Sequence, residues 1–225
     1  MIAINLMGRL DVRGPGGAAI AINSRRSTAL LACLGAGEDE SWSRERLAAL
    51  LWTGRGADQA RASLRQELFR LRRMLGGLRI AAWADGRDLT LPADSFAIDV
   101  RDFRAACRQR SGHRRAIALF RGPLLQDVAP DDGPFGQWLR RQRRVLQEVM
   151  ADCLRRAIVD RLGAGDHAEA GDLARRLLRL DAGFDRSQEP LLGAEEKREL
   201  SELWLRRESA PGLASPPGAG AAIAD

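Results

Sequence analysis

The chain has 225 residues and a formal net charge of +6, with 45% hydrophobic and 29% charged residues. This balance is typical of a soluble globular protein of one or two domains, and the charge alone does not establish a polyanionic partner. No apolar run approaches the roughly 18 residues that span a membrane, and no signal peptide is recognisable. Three widely separated cysteines, Cys33, Cys107 and Cys153, form no CxxC pair and indicate reduced thiols in a cytoplasmic protein.

Residues 2–22 have the pattern of a small antiparallel sheet. Apolar side chains alternate with small or polar ones at Ile2, Ile4 and Leu6. The glycine-rich run 14–17 predicts a tight turn, and 18–22 is expected to return as a strand.

Two capped helices follow the predicted sheet. Ser24 is placed to cap a helix from Arg25 to about Leu34, and Ser43 to cap a shorter helix over 44–52. A polar loop over 53–57 then leads to the next helix.

The third helix, predicted over 58–75, is the most informative part of the chain. Asp58 is expected to cap it and Gly76 to end it. One narrow apolar stripe is formed by Leu64, Leu68, Leu71 and Leu75. A step of about 100° per residue places a cationic edge with amide and small side chains away from that stripe. This edge contains Ala62, Gln66, Phe69, Arg70 and Arg73, and Arg65 and Arg72 flank the stripe.

A β-hairpin is predicted directly after this helix. The short apolar runs 78–83 and 88–91 flank the pair Asp85-Gly86, which favours a tight hairpin turn. The order sheet, three helices, hairpin is that of a winged helix-turn-helix, in which the third helix enters the major groove of DNA.

The arginines and the glutamine of this region are the candidate DNA contacts. On the third helix they are Arg61, Arg65, Gln66, Arg70 and Arg73. We expect Gln66 and Arg70 to reach base edges, since each can bond two atoms at once, and the other three to reach phosphates. Further phosphate candidates are Arg25, Arg26, Arg44 and Arg87. The alternatives are a solvated face paired internally through Glu67, and plain capping at the helix starts.

Three strings of this region carry a family resemblance: SRRSTALLACL, SWSRERLAALLW and ARASLRQELFRLRRMLG. They are similar to the N-terminal domain of regulators of the Streptomyces antibiotic regulatory protein (SARP) type. The resemblance covers residues 1–95 and implies a response-regulator-type winged helix that binds DNA. In related winged helices the loop corresponding to 53–57 touches RNA polymerase, so the resemblance makes it a candidate activator surface.

The second half resembles the bacterial transcriptional activation domain of the same regulators. The similar strings are IDVRDFRAAC, LFRGPLLQDV, FGQWLRRQRRVLQEVMADCLRRA and GDHAEAGDLARRLLRLD. The resemblance implies stacked tetratricopeptide-like helical hairpins. Read from the residues alone, 134–161 is one helix of about 28 residues, and Asp166 can cap the next.

The chain departs from the family pattern after Asp181. Family members continue with Tyr-containing repeats, whereas this chain has no tyrosine. One further helix is predicted over 194–207, and the Pro/Gly/Ala-rich residues 209–225 are expected to be a disordered tail that ends the chain. Exposed apolar surface, closed by a second copy of the chain, is expected near Leu191, Leu192, Leu203 and Trp204.

The sequence therefore predicts a mainly α protein with small β-sheets: a winged helix-turn-helix domain at 1–95, followed by a shortened tetratricopeptide-like domain at 96–208. The expected function is regulation of transcription, with double-stranded DNA as partner, contacts to RNA polymerase, and pairs of copies on one promoter. One alternative is a helical protein-interaction adaptor whose winged helix has lost DNA binding. A module of a larger signalling enzyme is a third.

No motif indicates catalysis. There is no P-loop, no G-x-G-x-x-G and no G-x-S-x-G. The two histidines, His113 and His167, have no cysteine or carboxylate at ligand spacing, so neither a metal nor a cofactor is expected.

Overall fold

The computed structural model describes residues 1–37, 41–76, 88–182 and 190–208. Five short strands lie within them: β1 (Ile2–Asn5), β2 (Asp11–Arg13), β3 (Trp42–Ser43), β4 (Asp88–Leu89) and β5 (Phe96–Ile98). The helices are α1 (Arg25–Ala36), α2 (Arg44–Leu51), α3 (Ala57–Met74), α4 (Asp99–Arg108), α5 (His113–Leu119), α6 (Pro134–Gly163), α7 (His167–Ala182) and α8 (Ala194–Glu208). The fold is mainly α with small β-sheets, as the sequence predicts.

The chain divides into two compact units, Met1–Cys153 and Leu154–Asp225. The first unit contains both sheets, α1 to α5 and the first part of α6. The domain boundary expected near residue 95 falls inside this unit. The second unit contains the rest of α6 with α7 and α8.

The N-terminal sheet has the order β2-β1-β5, with β1 antiparallel to β2 and parallel to β5. The alternation of β1 buries Ile2 and Ile4, as expected. The predicted antiparallel pairing is confirmed between β1 and β2, but the sheet as a whole is not antiparallel, because β5 from residues 96–98 joins it parallel to β1. The expected returning strand, 18–22, is reduced to a bridge between Ala19 and Arg13. The edge of β1 is therefore occupied by a distant segment.

A buried carboxylate fastens this sheet to the following helix. Asp99 begins α4, and its carboxylate accepts hydrogen bonds from the backbone N–H groups of Leu6 (2.8 and 3.0 Å) and Met7 (2.9 Å). The guanidinium of Arg121 donates to the same carboxylate at 2.7 Å. From α4, Arg104 donates to the carbonyl oxygens of Ala36 and Gly37, both at 3.0 Å. Residues after 95 thus complete the N-terminal sheet and the end of α1.

Helices α1 and α2 begin where the sequence predicts. The Ser24 hydroxyl accepts from Ser27 N–H at 3.2 Å, and the Ser43 hydroxyl accepts from Arg46 N–H at 3.1 Å. These caps fix the start of each helix because helix N-termini leave backbone donors without intrahelical partners.

Helix α3 differs from its predicted start. It begins at Ala57 with Gly56 at the cap position and no side-chain cap, so the expectation that Asp58 caps it is wrong. Asp58 lies in the first turn, where an acidic side chain is favoured by the helix dipole. At the other end, Gly76 has a φ of +77°, the left-handed conformation that commonly follows a helix and suits glycine.

The second sheet supports only part of the predicted wing. Strand β4 pairs antiparallel with β3, so Leu89 lies opposite Trp42. The other arm of the predicted hairpin, 78–83, its turn at Asp85-Gly86 and Arg87 lie outside the described residues, as does the predicted tail at 209–225. The winged form of the domain stays a prediction.

The second unit contains a tight turn between α6 and α7. The N–H of Asp166 bonds the carbonyl of Arg161 at 2.9 Å and the N–H of Gly165 bonds that of Leu162 at 3.0 Å, which together make a Schellman ending. The Asp166 side chain then accepts from Glu169 N–H at 3.0 Å. The predicted cap is confirmed.

The apolar surface expected near the C-terminus is smaller than predicted. Leu192 is buried, and Leu191, Leu203 and Trp204 are half-buried. For Leu191 and Leu192 the side chain of Asp181 contributes to this, since it accepts from their N–H groups at 2.8 and 3.1 Å and holds their segment in place. Leu205 is the residue of α8 that exposes a large apolar side chain.

Candidate nucleic-acid interface

Helix α3 is held against α1 and α2 by its leucine stripe. Leu64, Leu68, Leu71 and Leu75 are all buried, and α3 packs on both neighbouring helices. The spacing of four, three and four residues keeps these side chains on one side of the helix. The opposite side of α3 therefore faces solvent, as the sequence predicts.

The exposed edge of α3 is cationic. Arg65, Gln66, Phe69, Arg70 and Arg73 are exposed on it, and Ala62 is half-buried among them. Arg65 and Arg73 form no ion pair with any residue in the described part of the chain. We call these six residues the α3 edge.

A glutamate on the flank of α3, named in the sequence only as a possible internal partner of the arginines, is buried. Glu67 is 5% exposed, and its carboxylate accepts hydrogen bonds from the hydroxyls of Ser24 and Ser27, both at 2.6 Å. Both serines belong to the start of α1, so Glu67 ties α3 to that helix. The signal available in the sequence was its place beside the leucine stripe, about 40° from Leu71 at a step of about 100° per residue.

Burial raises the pKa of Glu67, but two serine hydroxyls and the Arg70 guanidinium more than offset this effect, so the pKa lies below its ordinary value. The carboxylate is thus ionised at neutral pH. Its charge holds Arg70 through a contact of 3.4 Å between Nη1 and Oε2.

Two of the candidate arginines have partners on α3 itself. Arg70 is paired with Glu67, yet its side chain remains 69% exposed. Arg61 pairs with the exposed Asp58. An exposed pair such as Arg61–Asp58 contributes about 0–1 kcal/mol, so Arg61 can exchange its partner for a phosphate at little cost. Arg70 keeps its exposed side chain available for a base while Glu67 stays buried.

The arginines at the starts of α1 and α2 are placed differently from one another. Arg25 is exposed. Arg26 donates to the carbonyl oxygen of Leu51, and its guanidinium lies 5.5 Å from the ring centroid of Trp52. Arg44 is half-buried. The contacts of Arg26 fasten α1 to the end of α2, while its expected role at phosphate, like that of Arg25 and Arg44, stays a prediction.

The loop between α2 and α3 is exposed throughout residues 53–57. Gly54 has a φ of +83°, and the guanidinium of Arg55 donates to the Ser63 hydroxyl at 2.9 Å. The loop is therefore presented on the surface beside the start of α3.

Replacing Glu67 with glutamine is expected to lower the free energy of unfolding at pH 7 by about 1–2 kcal/mol, because neutral bonds replace charge-assisted ones. Since its pKa is lowered on folding, the stabilisation by Glu67 is present above the ordinary value of about 4.3 and is lost as the pH falls through the folded pKa. Urea denaturation at pH 7, 5 and 3 should show the difference from wild type shrinking with acid. The control is Glu148→Gln, because Glu148 is an exposed glutamate that also pairs with an arginine, Arg144. A difference independent of pH would contradict this account.

No group of three or more His, Cys, Asp or Glu side chains within the described residues could hold a metal ion. The three cysteines are free and buried, and burial raises the pKa of the Cys33 thiol far above its ordinary value. None of the described helices combines the length and apolarity needed to cross a membrane.

Comparisons with known proteins give a family match for part of the chain. A comparison with curated protein sequences gave no match. A similar solved structure is that of Mycobacterium tuberculosis EmbR in complex with a low-affinity phosphopeptide, with 21% identity and a TM-score of 0.47. That similarity covers 92% of this chain and 65% of the EmbR chain. Residues 97–199 match the family model of the bacterial transcriptional activator domain.

Proposed function

We propose that this protein binds promoter DNA through α3 and regulates transcription, most simply as an activator. The observation that carries the proposal is the α3 edge, where arginine and glutamine side chains are exposed on a helix that is buried along its other side. Such an edge fits the major groove in size and charge. The match of residues 97–199 to an activator domain supports the same function.

Within the α3 edge we assign two kinds of contact. Gln66 and Arg70 reach base edges, and Arg65 and Arg73, together with Arg61, reach phosphates. The Glu67 carboxylate supports the first assignment, because it restrains the Arg70 guanidinium from one side and leaves most of that side chain exposed. Arg25, Arg26, Arg44 and Arg87 are further phosphate contacts in this proposal.

The helical residues 96–208 supply the contacts of an activator with a second copy of the chain or with RNA polymerase. Two copies on one promoter bring two such segments together. The exposed loop at 53–57 is a second surface for polymerase, because it lies beside the DNA-binding helix and is free of buried apolar residues.

The alternative is an adaptor that binds proteins and no longer binds DNA. Two observations favour it: Arg61 and Arg70 have partners on their own helix, and Leu205 of α8 exposes an apolar side chain. The two functions differ in salt dependence. A DNA reader loses affinity steeply as salt rises, with a logarithmic slope of about −0.9 for each phosphate contact, whereas an adaptor binds no duplex at any salt.

The test is selection of bound duplexes from random DNA with the full chain, followed by titrations of the selected site at several salt concentrations. Arg73→Ala is expected to weaken all duplexes alike and to reduce the salt slope by about 0.9. Gln66→Ala and Arg70→Ala should each relax base preference at one position.

Arg9→Ala is the matched control, because Arg9 is an equally charged, exposed side chain outside α3, paired with Asp127 at 3.2 Å. It should bind like wild type. Absence of duplex binding by wild type at low salt would favour the adaptor. An equal loss on every sequence from Gln66→Ala, Arg70→Ala and Arg73→Ala would refute the division between base and phosphate contacts.

A further inference from the structure

An aromatic side chain stands exposed in the middle of the α3 edge. Phe69 is 62% exposed, and apart from Met1 it is the one large apolar side chain of the first unit's described residues to be so exposed. It makes no ring contact with a described aromatic side chain, unlike Phe103, which packs on Phe120. The core of the protein therefore does not account for Phe69.

The surroundings of Phe69 are cationic and amide-bearing. Arg65, Gln66 and Arg73 lie within one turn of it on the same edge, and all three are exposed. Ala62 lies two turns earlier, and its small side chain projects little from that part of the α3 edge. These surrounding side chains attract a polyanion, and the apolar side chain of Phe69 lies at the centre of the surface that the polyanion would contact.

Double-stranded DNA is a partner that is both polyanionic and able to present an apolar group. The major groove of DNA is lined by phosphates, and the 5-methyl group of thymine is the apolar group that it displays, a partner for phenylalanine side chains. Along the helix axis Phe69 is about 4.5 Å from Gln66, at a rise of 1.5 Å per residue. That spacing is close to the ~3.4 Å separation of stacked base pairs, so the two side chains meet adjacent pairs.

We propose that Phe69 is a specificity-determining residue that packs on the 5-methyl group of a thymine in the major groove, beside the base pair contacted by Gln66. This inference rests on the proposed function, since it requires α3 to lie in the groove. It deepens that function by assigning one base of the site through an apolar contact, where the arginines give hydrogen bonds.

The experiment replaces each thymine of the selected duplex in turn with deoxyuridine, which lacks the methyl group and keeps the hydrogen-bonding edge. Wild-type protein should lose about fourfold in affinity at one thymine of each half-site, the amount expected for one buried methyl group. Phe69→Ala should bind thymine and deoxyuridine equally at that position. Phe69→Leu, which keeps an apolar side chain, should retain part of the discrimination.

Two controls separate the contact from other effects. Gln66→Ala should keep the discrimination at that thymine, because it alters the neighbouring pair. Thermal unfolding of Phe69→Ala should match wild type, since the ring is exposed and alanine favours a helix.

The outcomes distinguish the role of Phe69 from the proposed DNA-binding function on which it rests. If wild type binds the duplex but treats thymine and deoxyuridine alike at every position, or if Phe69→Ala keeps the discrimination, the role of Phe69 is overturned and the DNA-binding function stands. If wild type binds no duplex, the proposed function fails and this inference with it.

Discussion

Replacing Asp99 with alanine is expected to lower the free energy of unfolding by about 3–5 kcal/mol. The Asp99 side chain accepts hydrogen bonds from two buried backbone N–H groups, those of Leu6 and Met7, and from the Arg121 guanidinium. Alanine leaves both backbone donors buried without an acceptor. Since small domains are stable by about 5–15 kcal/mol, this loss is a large fraction of the total.

Urea denaturation followed by circular dichroism measures the effect, and three variants calibrate it. Asp99→Asn keeps one acceptor oxygen and should lose less than Asp99→Ala. Arg121→Ala should lose less still, because that guanidinium is half-exposed. Asp127→Ala, whose carboxylate is 54% exposed, should cost about 0–1 kcal/mol. Equal losses from Asp99→Ala and Asp127→Ala would contradict the anchoring role.

The pH dependence of this anchor differs from that of Glu67. Burial raises the pKa of the Asp99 carboxyl more than the N–H groups of Leu6 and Met7 and the Arg121 guanidinium lower it. A raised folded pKa means that the contribution of ionisation to stability falls as the pH rises through that value. Acidification to a pH below the ordinary pKa of the Glu67 carboxyl therefore weakens the Glu67 contact. The protonation of Asp99 over the same range does not lower the stability.

A fragment of residues 1–95 is expected not to fold cooperatively, whereas a fragment of residues 1–153 is expected to do so. The shorter fragment lacks β5, the parallel neighbour of β1, and therefore uncovers Ile2, Ile4 and Leu6. Each loses about 1.5–3 kcal/mol of burial, so the sum approaches the whole stability of a small domain, about 5–15 kcal/mol.

Other losses act in the same direction. The shorter fragment also lacks Arg104, which bonds the carbonyls of Ala36 and Gly37 at the end of α1. It lacks Trp138 as well, whose ring centroid lies 6.0 Å from that of Trp42 in β3. Near-ultraviolet circular dichroism and urea denaturation of both fragments provide the measurement. A cooperative transition of 1–95 with a midpoint near that of 1–153 would show that the predicted boundary at residue 95 divides two independent domains.

Local chemistry explains which helices could be predicted. Ser24, Ser43 and Asp166 start helices in the structure as the sequence indicates, because a side-chain oxygen satisfies donors only three residues away. The leucines of α3 are buried as their spacing predicts. At Gly56 the same reasoning chose the wrong cap, since the nearby acidic residue, Asp58, serves in the first turn instead.

The candidate site was predicted in part. The exposed cationic edge of α3 follows from the period of the helix alone. The burial of Glu67 did not follow, because its serine partners lie 43 and 40 residues earlier in the chain. The contact between Arg26 and Leu51 likewise joins two helices whose relative position no local pattern contains.

Several features follow from the sequence alone: α1, α2, α6, α7 and α8, the caps at Ser24, Ser43 and Asp166, the buried stripe of α3 and the cationic edge opposite it. Each of them depends on neighbours within a few residues. Only the tertiary structure decided that residues 96–99 complete the N-terminal sheet and that Asp99 holds Leu6 and Met7. The pairing of β1 with β5 and the hydrogen bonds from Leu6 and Met7 to Asp99 join residues more than 90 positions apart. A short apolar run could pair with many strands, and a lone aspartate could accept from many backbone N–H groups. The packing of the whole first unit determines which of these partners each one has.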